Sequence, residues 1–128
     1  MKSVNVWAGT GNIVREGEFT SLPSGVSVLK FTIAVNESFV KDGVKKEDTA
    51  FIDVKVFGRF AEAIHTKVQK GRPCALSGKL KQDRWEQEGK KREKLYILAE
   101  NISIFEPSKY EAGQSEEGQG FIDDAIPF

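Results

Sequence analysis

One stretch with the apolar spacing of a helix divides a chain whose other patterned segments indicate strands. Within residues 59–70 the apolar side chains lie on one helical face, at Phe60, Ala61, Ile64 and Val68, and Gly71 supplies a helix stop. The strand segments are separated by glycine-containing turn signals. Three of them precede the helix and two follow it: Val4–Ala8, Val26–Val35, Phe51–Phe57, Pro73–Trp85 and Lys94–Phe105.

This order of elements is that of an oligonucleotide-binding (OB) fold. The sequence therefore predicts an all-β protein, a five-stranded Greek-key barrel with one helix between strands 3 and 4. An irregular small β-barrel with an incidental helix is the alternative that the order leaves open.

Charge and composition divide the chain into a basic body and an acidic tail. From Pro107 onward one lysine stands against five carboxylates, a net charge of −4, whereas residues 1–106 carry 18 basic and 14 acidic side chains. The net charge of +4 on the body suggests a polyanionic partner. Residues 107–120 are rich in Gly, Ser, Gln and Glu, so we expect a disordered linker between the domain 1–106 and a C-terminal tip, 121–128.

Aromatic side chains lie on strand faces that should be polar. Successive side chains of a strand point to opposite faces, and in residues 51–57 the aliphatic ones take the inner face: Ile52, Val54 and Val56. Phe51 and Phe57 therefore lie on the outer face, on either side of Lys55. In residues 73–85 the inner face takes a second set: Cys74, Leu76 and Leu80. Trp85 then shares the outer face with lysines, Lys79 and Lys81.

Aromatic rings interleaved with lysines suit a single-stranded nucleic acid. Unpaired bases stack on aromatic rings with little regard to sequence, and lysines neutralise the phosphates between them. Duplex DNA hides its bases and gains less from such a face. The alternative is that these aromatic residues pack beneath a loop or in a subunit interface. Trp7 also has outward parity, but a bulge expected at residues 9–11 leaves its direction open.

The last eight residues return abruptly to apolar character after the linker. An exposed apolar C-terminus is typical of a docking peptide, because a pocket can hold both the Phe128 ring and its α-carboxylate. Two acidic residues, Asp123 and Asp124, would meet a basic rim on the partner.

Neither a metal, a cofactor nor a catalytic site is indicated. The sequence has one histidine, one cysteine and no Cys-X-X-Cys or phosphate-loop motif. Cys74 has inner-face parity, so we expect a buried thiol rather than a nucleophile. Apolar residues make up 39% of the chain, and no apolar run approaches a membrane span. We expect a non-enzymatic, cytoplasmic protein.

Several stretches resemble the bacterial single-stranded-DNA-binding proteins: residues 31–36, 56–62, 70–73, 77–80 and 84–85, and above all the tip Asp123-Asp124-Ala125-Ile126-Pro127-Phe128. The resemblance implies a homotetramer, with single-stranded DNA wrapped around it and with nucleoid association. It also places Phe39, Phe51, Phe57 and Trp85 at base-stacking positions. Partner proteins of replication, recombination and repair would dock on the tip residues: Asp123, Asp124, Ile126, Pro127 and Phe128.

The predicted function is thus sequence-independent binding and protection of single-stranded DNA. We expect phosphate contacts from basic residues of the body: Lys30, Lys55, Arg59, Arg72, Lys79, Lys81 and Arg84. An OB-fold replication accessory that binds chiefly protein and an RNA-binding module are the alternatives.

Overall fold

The computed structural model describes residues 1–107, which form six strands, one α-helix and one 3₁₀ turn. The strands are β1 (Trp7–Ile13), β2 (Glu18–Ser21), β3 (Ser27–Lys41), β4 (Val44–Phe57), β5 (Pro73–Gln87) and β6 (Lys90–Ile104). The helix α1 (Gly58–Ile64) and the 3₁₀ turn (His65–Lys67) lie between β4 and β5.

Five of the strands close into a barrel, as the sequence predicts for an OB fold. The pairing runs from β1 through β5, β6, β4 and β3, and β3 pairs with β1 again to close the ring. Among the strands of residues 1–107, β4 pairs with β6 in parallel and the other pairings are antiparallel. Along the chain the helix follows the third barrel strand and precedes the fourth, which confirms its predicted position.

The short strand β2 is an addition that the sequence does not signal. It pairs with β3 from Glu18 opposite Lys30 to Ser21 opposite Ser27 and stands outside the closed ring. All four of its residues are exposed. Because neither face is buried, no apolar alternation marks it.

The first strand begins and ends later than predicted, at Trp7 and Ile13 instead of Val4 and Ala8. Its pairing with β5 is unbroken from residue 7 to residue 12, so no bulge occurs there. Gly9 lies directly beneath the Trp7 indole, where a Cβ would come within 2.7 Å of the ring. Trp7 consequently packs against the barrel core rather than outward.

Both hairpins extend well beyond the predicted strands. The β3–β4 pairing is continuous from Val28 opposite Phe57 to Lys41 opposite Val44. Asp42 and Gly43 at its tip both have positive φ, the conformation of a two-residue type I′ turn. The outer half of this hairpin is exposed on both faces, so its sequence lacks the alternation by which a half-buried strand is recognised.

The barrel core takes the inner faces that parity predicts. Its fully buried residues come from all five barrel strands and from the segment after β4, and they include Ile13, Leu29, Ile33, Val54, Val56, Ala61, Val68, Cys74 and Ile97. The helix is shorter than the predicted 59–70: it ends at Ile64, the 3₁₀ turn follows, and Val68 lies beyond the turn. The Val68 carbonyl accepts a hydrogen bond from the Gly17 amide, at 3.1 Å, and its side chain is buried.

A bulge in β6 separates the barrel from the outer part of the β5–β6 hairpin. Ser77 lies opposite Asn101 and Gly78 opposite Ala99, so Glu100 is the extra residue. Gly78 crosses β6 so closely that a Cβ would collide with the Leu98 carbonyl oxygen. Beyond this point the hairpin leaves the core. Leu80, which parity places on the inner face, is therefore 45% exposed.

Candidate nucleic-acid interface

A groove of about 460 Å³ runs over the outer faces of four strands. That volume lies within the ~300–1,000 Å³ of typical small-ligand sites. Its outward-facing lining residues are Lys30 and Thr32 from β3, Asp53 and Lys55 from β4, Asp83 and Trp85 from β5, and Lys94 and Tyr96 from β6; the buried Phe31 and Val54 also line it. Arg15 and Glu16 line it from the segment between β1 and β2, and Glu18 lines it from the start of β2.

Strand register brings these side chains together. Residues directly opposite in an antiparallel pair share a face, and the β3–β4 pairing places Thr32 opposite Asp53. The β5–β6 pairing places Asp83 opposite Lys94. Trp85 lies opposite Arg92 one step further out. The predicted outer faces of two separate segments thus become walls of one groove.

Two ion pairs cross the groove between strands. Lys55 of β4 binds the Asp83 carboxylate of β5, and the Lys55 ammonium also lies 4.2 Å from the centre of the Tyr96 ring. The Lys94 ammonium lies 2.7 Å from the Asp53 carboxylate. Thr32 donates a 2.8 Å hydrogen bond to the other oxygen of Asp53. Cations and carboxylates therefore alternate along the groove floor.

The Asp53 carboxylate is held in its charged form. Burial raises the pKa of Asp53, but hydrogen bonds from Lys94 and Thr32 and the charges of Lys94 and Arg15 outweigh burial, so the pKa lies below its ordinary value. At neutral pH this group is an anion, and the other charged residues of the groove lining are four cations, Arg15, Lys30, Lys55 and Lys94, and three carboxylates, Glu16, Glu18 and Asp83.

The predicted stacking residues occupy different positions along the outer surface. Trp85 lines the groove and is 44% exposed, whereas Phe51 lies further along β4, opposite Ala34, and is 69% exposed. Phe57 is half-exposed at the end of β4. The β3–β4 pairing has no break, so side chains alternate regularly along β3. Phe39 therefore lies on the same face of the sheet as Val35, and Phe51 lies on the other face.

Of the predicted phosphate contacts, Lys30 and Lys55 line the groove. Lys81 lies opposite Tyr96 beside it, and Lys79 forms a long, exposed ion pair with Glu100 at 3.7 Å. The remaining three lie elsewhere: Arg59 on the exposed side of α1, Arg84 on the other face of the β5–β6 hairpin, and Arg72 near the end of β6.

Arg72 has a structural task in addition to its charge. Its guanidinium donates to the backbone carbonyls of Phe105, at 3.1 Å, and Lys67, at 3.3 Å. These bonds tie the end of β6 to the segment after the helix. Two of the five N–H donors of Arg72 are therefore already bonded to the backbone.

Tyr96, Lys94 and Arg15 belong to the groove but are absent from the predicted site. On β6, Lys94 and Tyr96 lie on the outer face, opposite to the face of the buried Ile97. Lys81 and Trp85 lie on the outer face of β5 in the same way. The parity argument applied to β6 would have found them. Arg15 lies outside the strands, where parity carries no information.

The other sequence predictions meet the structure in part. Cys74 is buried, as predicted, and burial raises the pKa of its thiol to about 11, which disfavours the nucleophilic thiolate. No helix within residues 1–107 is long and apolar enough to cross a membrane. The predicted linker beyond Pro107 and the tip, 121–128, lie outside the described residues.

A closed five-stranded barrel of this pairing order, with aromatic and basic side chains on one outer face, defines an oligonucleotide-binding barrel protein. A model of the Single-strand binding protein family matches residues 4–105. The "Single-stranded DNA-binding protein" of Aquifex aeolicus is 38% identical over 108 residues, which cover 84% of this chain and 74% of the relative. That of Treponema pallidum is 31% identical, over 93% of this chain and 68% of the relative. The chain belongs to the single-strand binding protein family.

Solved structures with the same fold agree with this assignment. A deletion variant of the single-stranded DNA binding protein from Thermus aquaticus superimposes with a TM-score of 0.73 at 25% identity, over 80% of this chain. The chain spans about half, 51%, of that protein's length. The Plasmodium falciparum SSB in complex with ssDNA has a TM-score of 0.74 at 20% identity, over 83% of this chain and 98% of that one. At that identity the likeness concerns the fold.

Proposed function

We propose that the chain binds single-stranded DNA without sequence preference, on the outer face of the barrel. The observation that carries the proposal is that Trp85, Lys55 and Lys94 lie in one groove. A ring for a base and ammonium groups for phosphates thus lie side by side. The names of the family and of its bacterial relatives support the same activity.

The groove suits stacking and charge neutralisation rather than base reading. An aromatic ring accepts any base, and each stacked base contributes roughly 1–3 kcal/mol. Each phosphate that a lysine neutralises adds about −0.7 to the slope of log affinity against log salt for a single strand. Phe51 and Phe57 extend the aromatic surface along β4, and the basic hairpin tip at Lys90, Lys91 and Arg92 extends its positive charge.

The test is a titration with poly-dT, followed by tryptophan fluorescence at low and high salt. The chain has two tryptophans, and Trp7 packs against the core while Trp85 lines the groove. We expect the Trp7→Phe variant to keep strong quenching on binding. The Trp85→Phe variant, with Trp7 as its remaining indole, should lose most of it.

Duplex DNA and RNA of equal length are the controls for the class of ligand. A weak response to duplex DNA supports recognition of unpaired bases. Equal affinity for duplex and single strand, or no binding at all, would overturn the proposal. A markedly tighter grip on RNA would favour the RNA-binding alternative.

We also propose that the tip recruits proteins of DNA replication, recombination and repair. The support is its sequence: two acidic residues, Asp123 and Asp124, followed by Ile126-Pro127-Phe128. Affinity capture with the whole chain, with a chain lacking residues 121–128 and with Phe128→Ala checks it. Proteins retained by the whole chain and lost from both variants support recruitment; identical captured sets contradict it.

A homotetramer is the assembly that we propose for the DNA-bound protein. The outer side of β1 and β5 supports it, because small side chains there leave a shallow surface for a second copy: Ala8, Thr10, Ala75 and Ser77. Light scattering should give four times the mass of one chain. The mass of one chain would contradict the tetramer.

A further inference from the structure

Two lysines of the groove are already paired with carboxylates of the chain itself. Lys55 binds Asp83, and the Lys94 ammonium lies 2.7 Å from the Asp53 carboxylate. Both pairs join residues of different strands across the groove. A DNA phosphate that approaches either lysine therefore meets a carboxylate that is already bound to it.

Resting on the proposed function, we propose that Asp83 and Asp53 compete with DNA phosphate for these two lysines. They thereby set the affinity and the salt dependence of single-strand binding. The positive charge of the groove is thus partly neutralised by the chain's own carboxylates before DNA binds.

In the Lys55–Asp83 pair the Asp83 carboxylate is the partner that is easier to displace. The Lys55 side chain is 18% exposed, whereas that of Asp83 is 43% exposed. The Tyr96 ring, 4.2 Å from the ammonium, holds Lys55 in place by a cation–π contact that does not depend on Asp83. A phosphate can therefore take the position of the Asp83 carboxylate while Lys55 keeps its own.

The Lys94–Asp53 pair is built the other way round. Asp53 is fixed by the hydrogen bond from Thr32 and is the less exposed partner, at 29% against 61% for Lys94. Its lowered pKa keeps it charged at neutral pH. Lys94 has to swing away from a fixed anion to reach a phosphate, so this pair opposes binding as well.

The competition has a distinct salt signature. When a phosphate displaces Asp83, the freed carboxylate attracts a cation from solution, which offsets part of the counterion release from DNA. Without that carboxylate the full release is observed. The slope of log affinity against log salt should then be steeper by up to about 0.7.

The test compares Asp83→Asn with Glu106→Gln in titrations of poly-dT at several salt concentrations. Both changes remove one negative charge. Glu106 follows Phe105, whose amide bonds Pro73 at the start of β5, and Pro73 lies roughly 33 Å from Asp83 at the rise of an extended strand. We expect Asp83→Asn to bind roughly two- to fivefold more tightly than wild type, the worth of a partly exposed ion pair. Glu106→Gln should match wild type.

A double-mutant cycle with Lys55→Gln separates competition from plain repulsion. If Asp83 acts by holding Lys55, its replacement gains nothing in the Lys55→Gln background. A gain that persists there would mean that Asp83 merely repels phosphate and would overturn the inference, as would equal affinities of Asp83→Asn and Glu106→Gln. Asp53→Asn, which keeps an oxygen for the Thr32 hydroxyl, is the second variant, and thermal unfolding checks that each variant folds.

The two proposals fail in different ways. If the wild-type chain binds no single strand, the proposed function is wrong and this inference falls with it. If the wild-type chain binds and the carboxylate variants show neither tighter binding nor a steeper slope, the function stands and the competition is wrong.

Discussion

The two faces of the barrel wall made by β3 and β4 differ in how they are determined. On the inner face Leu29, Ile33 and Val56 are completely buried. On the outer face Thr32, Asp53 and Lys55 each have a side-chain partner on another strand, as Asp53 has in Lys94 of β6. The inner face is determined by burial alone, whereas the outer face is determined by which strands the fold brings together.

This difference separates stability from binding. Truncating an inner side chain removes apolar contacts from a closed core and leaves a cavity. Truncating an outer aromatic residue removes a stacking surface that the folded chain itself uses little. Changes on the two faces should therefore affect different measurements.

The largest effect is expected on the inner face. Leu29→Ala should lower the free energy of unfolding by about 2–5 kcal/mol, because Leu29 is fully buried in the barrel. Chemical denaturation checks it, with Leu95→Ala, a truncation at a site 56% exposed, as the matched control. A loss of similar size in both variants would mean that the outer hairpin shares the core.

Trp85→Ala is the corresponding change on the outer face. It should weaken binding of poly-dT by roughly 1–3 kcal/mol, the worth of one stacked base, while the free energy of unfolding changes little. Fluorescence anisotropy with labelled DNA measures the first and denaturation the second. Unchanged affinity together with lost stability would assign Trp85 to packing.

Phe51 and Phe39 test the boundary between the faces. Phe51 shares the outer face with Lys55. Phe39 lies on the same face as Val35, in the outer half of the β3–β4 hairpin. We expect Phe51→Ala to weaken binding by about 1 kcal/mol or more and Phe39→Ala to weaken it less. Equal losses in anisotropy titrations would show that the hairpin twists far enough to present both rings to one strand of DNA.

Sequence reasoning succeeds where one face is buried and stops where neither is. Parity assigned Val54 and Lys55 to opposite faces correctly, because a core requires that alternation. It missed β2 and the outer halves of the hairpins, whose residues are exposed on both sides. It also placed Leu80 inside, because the departure of the hairpin from the core beyond Gly78 leaves no mark in the pattern.

The candidate site could likewise be predicted only in part from the sequence. The outer-face positions of Lys55 and Trp85 follow from the sequence, but their meeting in one groove requires the barrel to close. The pairing of Lys55 with Asp83 connects residues 28 positions apart and is invisible to any local pattern. The chemistry on each strand can thus be read from the sequence, whereas the chemistry between strands cannot.

The smallest expected effect concerns the pH dependence that Asp53 gives to the outer face. Since the pKa of Asp53 in the folded chain lies below its ordinary value of about 3.8, the unfolded chain binds protons more readily, and stability rises with pH through this range. The stabilisation from the charged Asp53 is fully present above the pKa of Asp53 in the unfolded chain. It is lost as pH falls through the pKa of Asp53 in the folded chain.

The difference in unfolding free energy between wild type and Asp53→Asn should follow this course in denaturation from pH 2 to 7. It should shrink in a Lys94→Gln background, because Lys94 supplies both a hydrogen bond and a charge to Asp53. A pH-independent difference would mean that the outer-face ion pair does not form in solution.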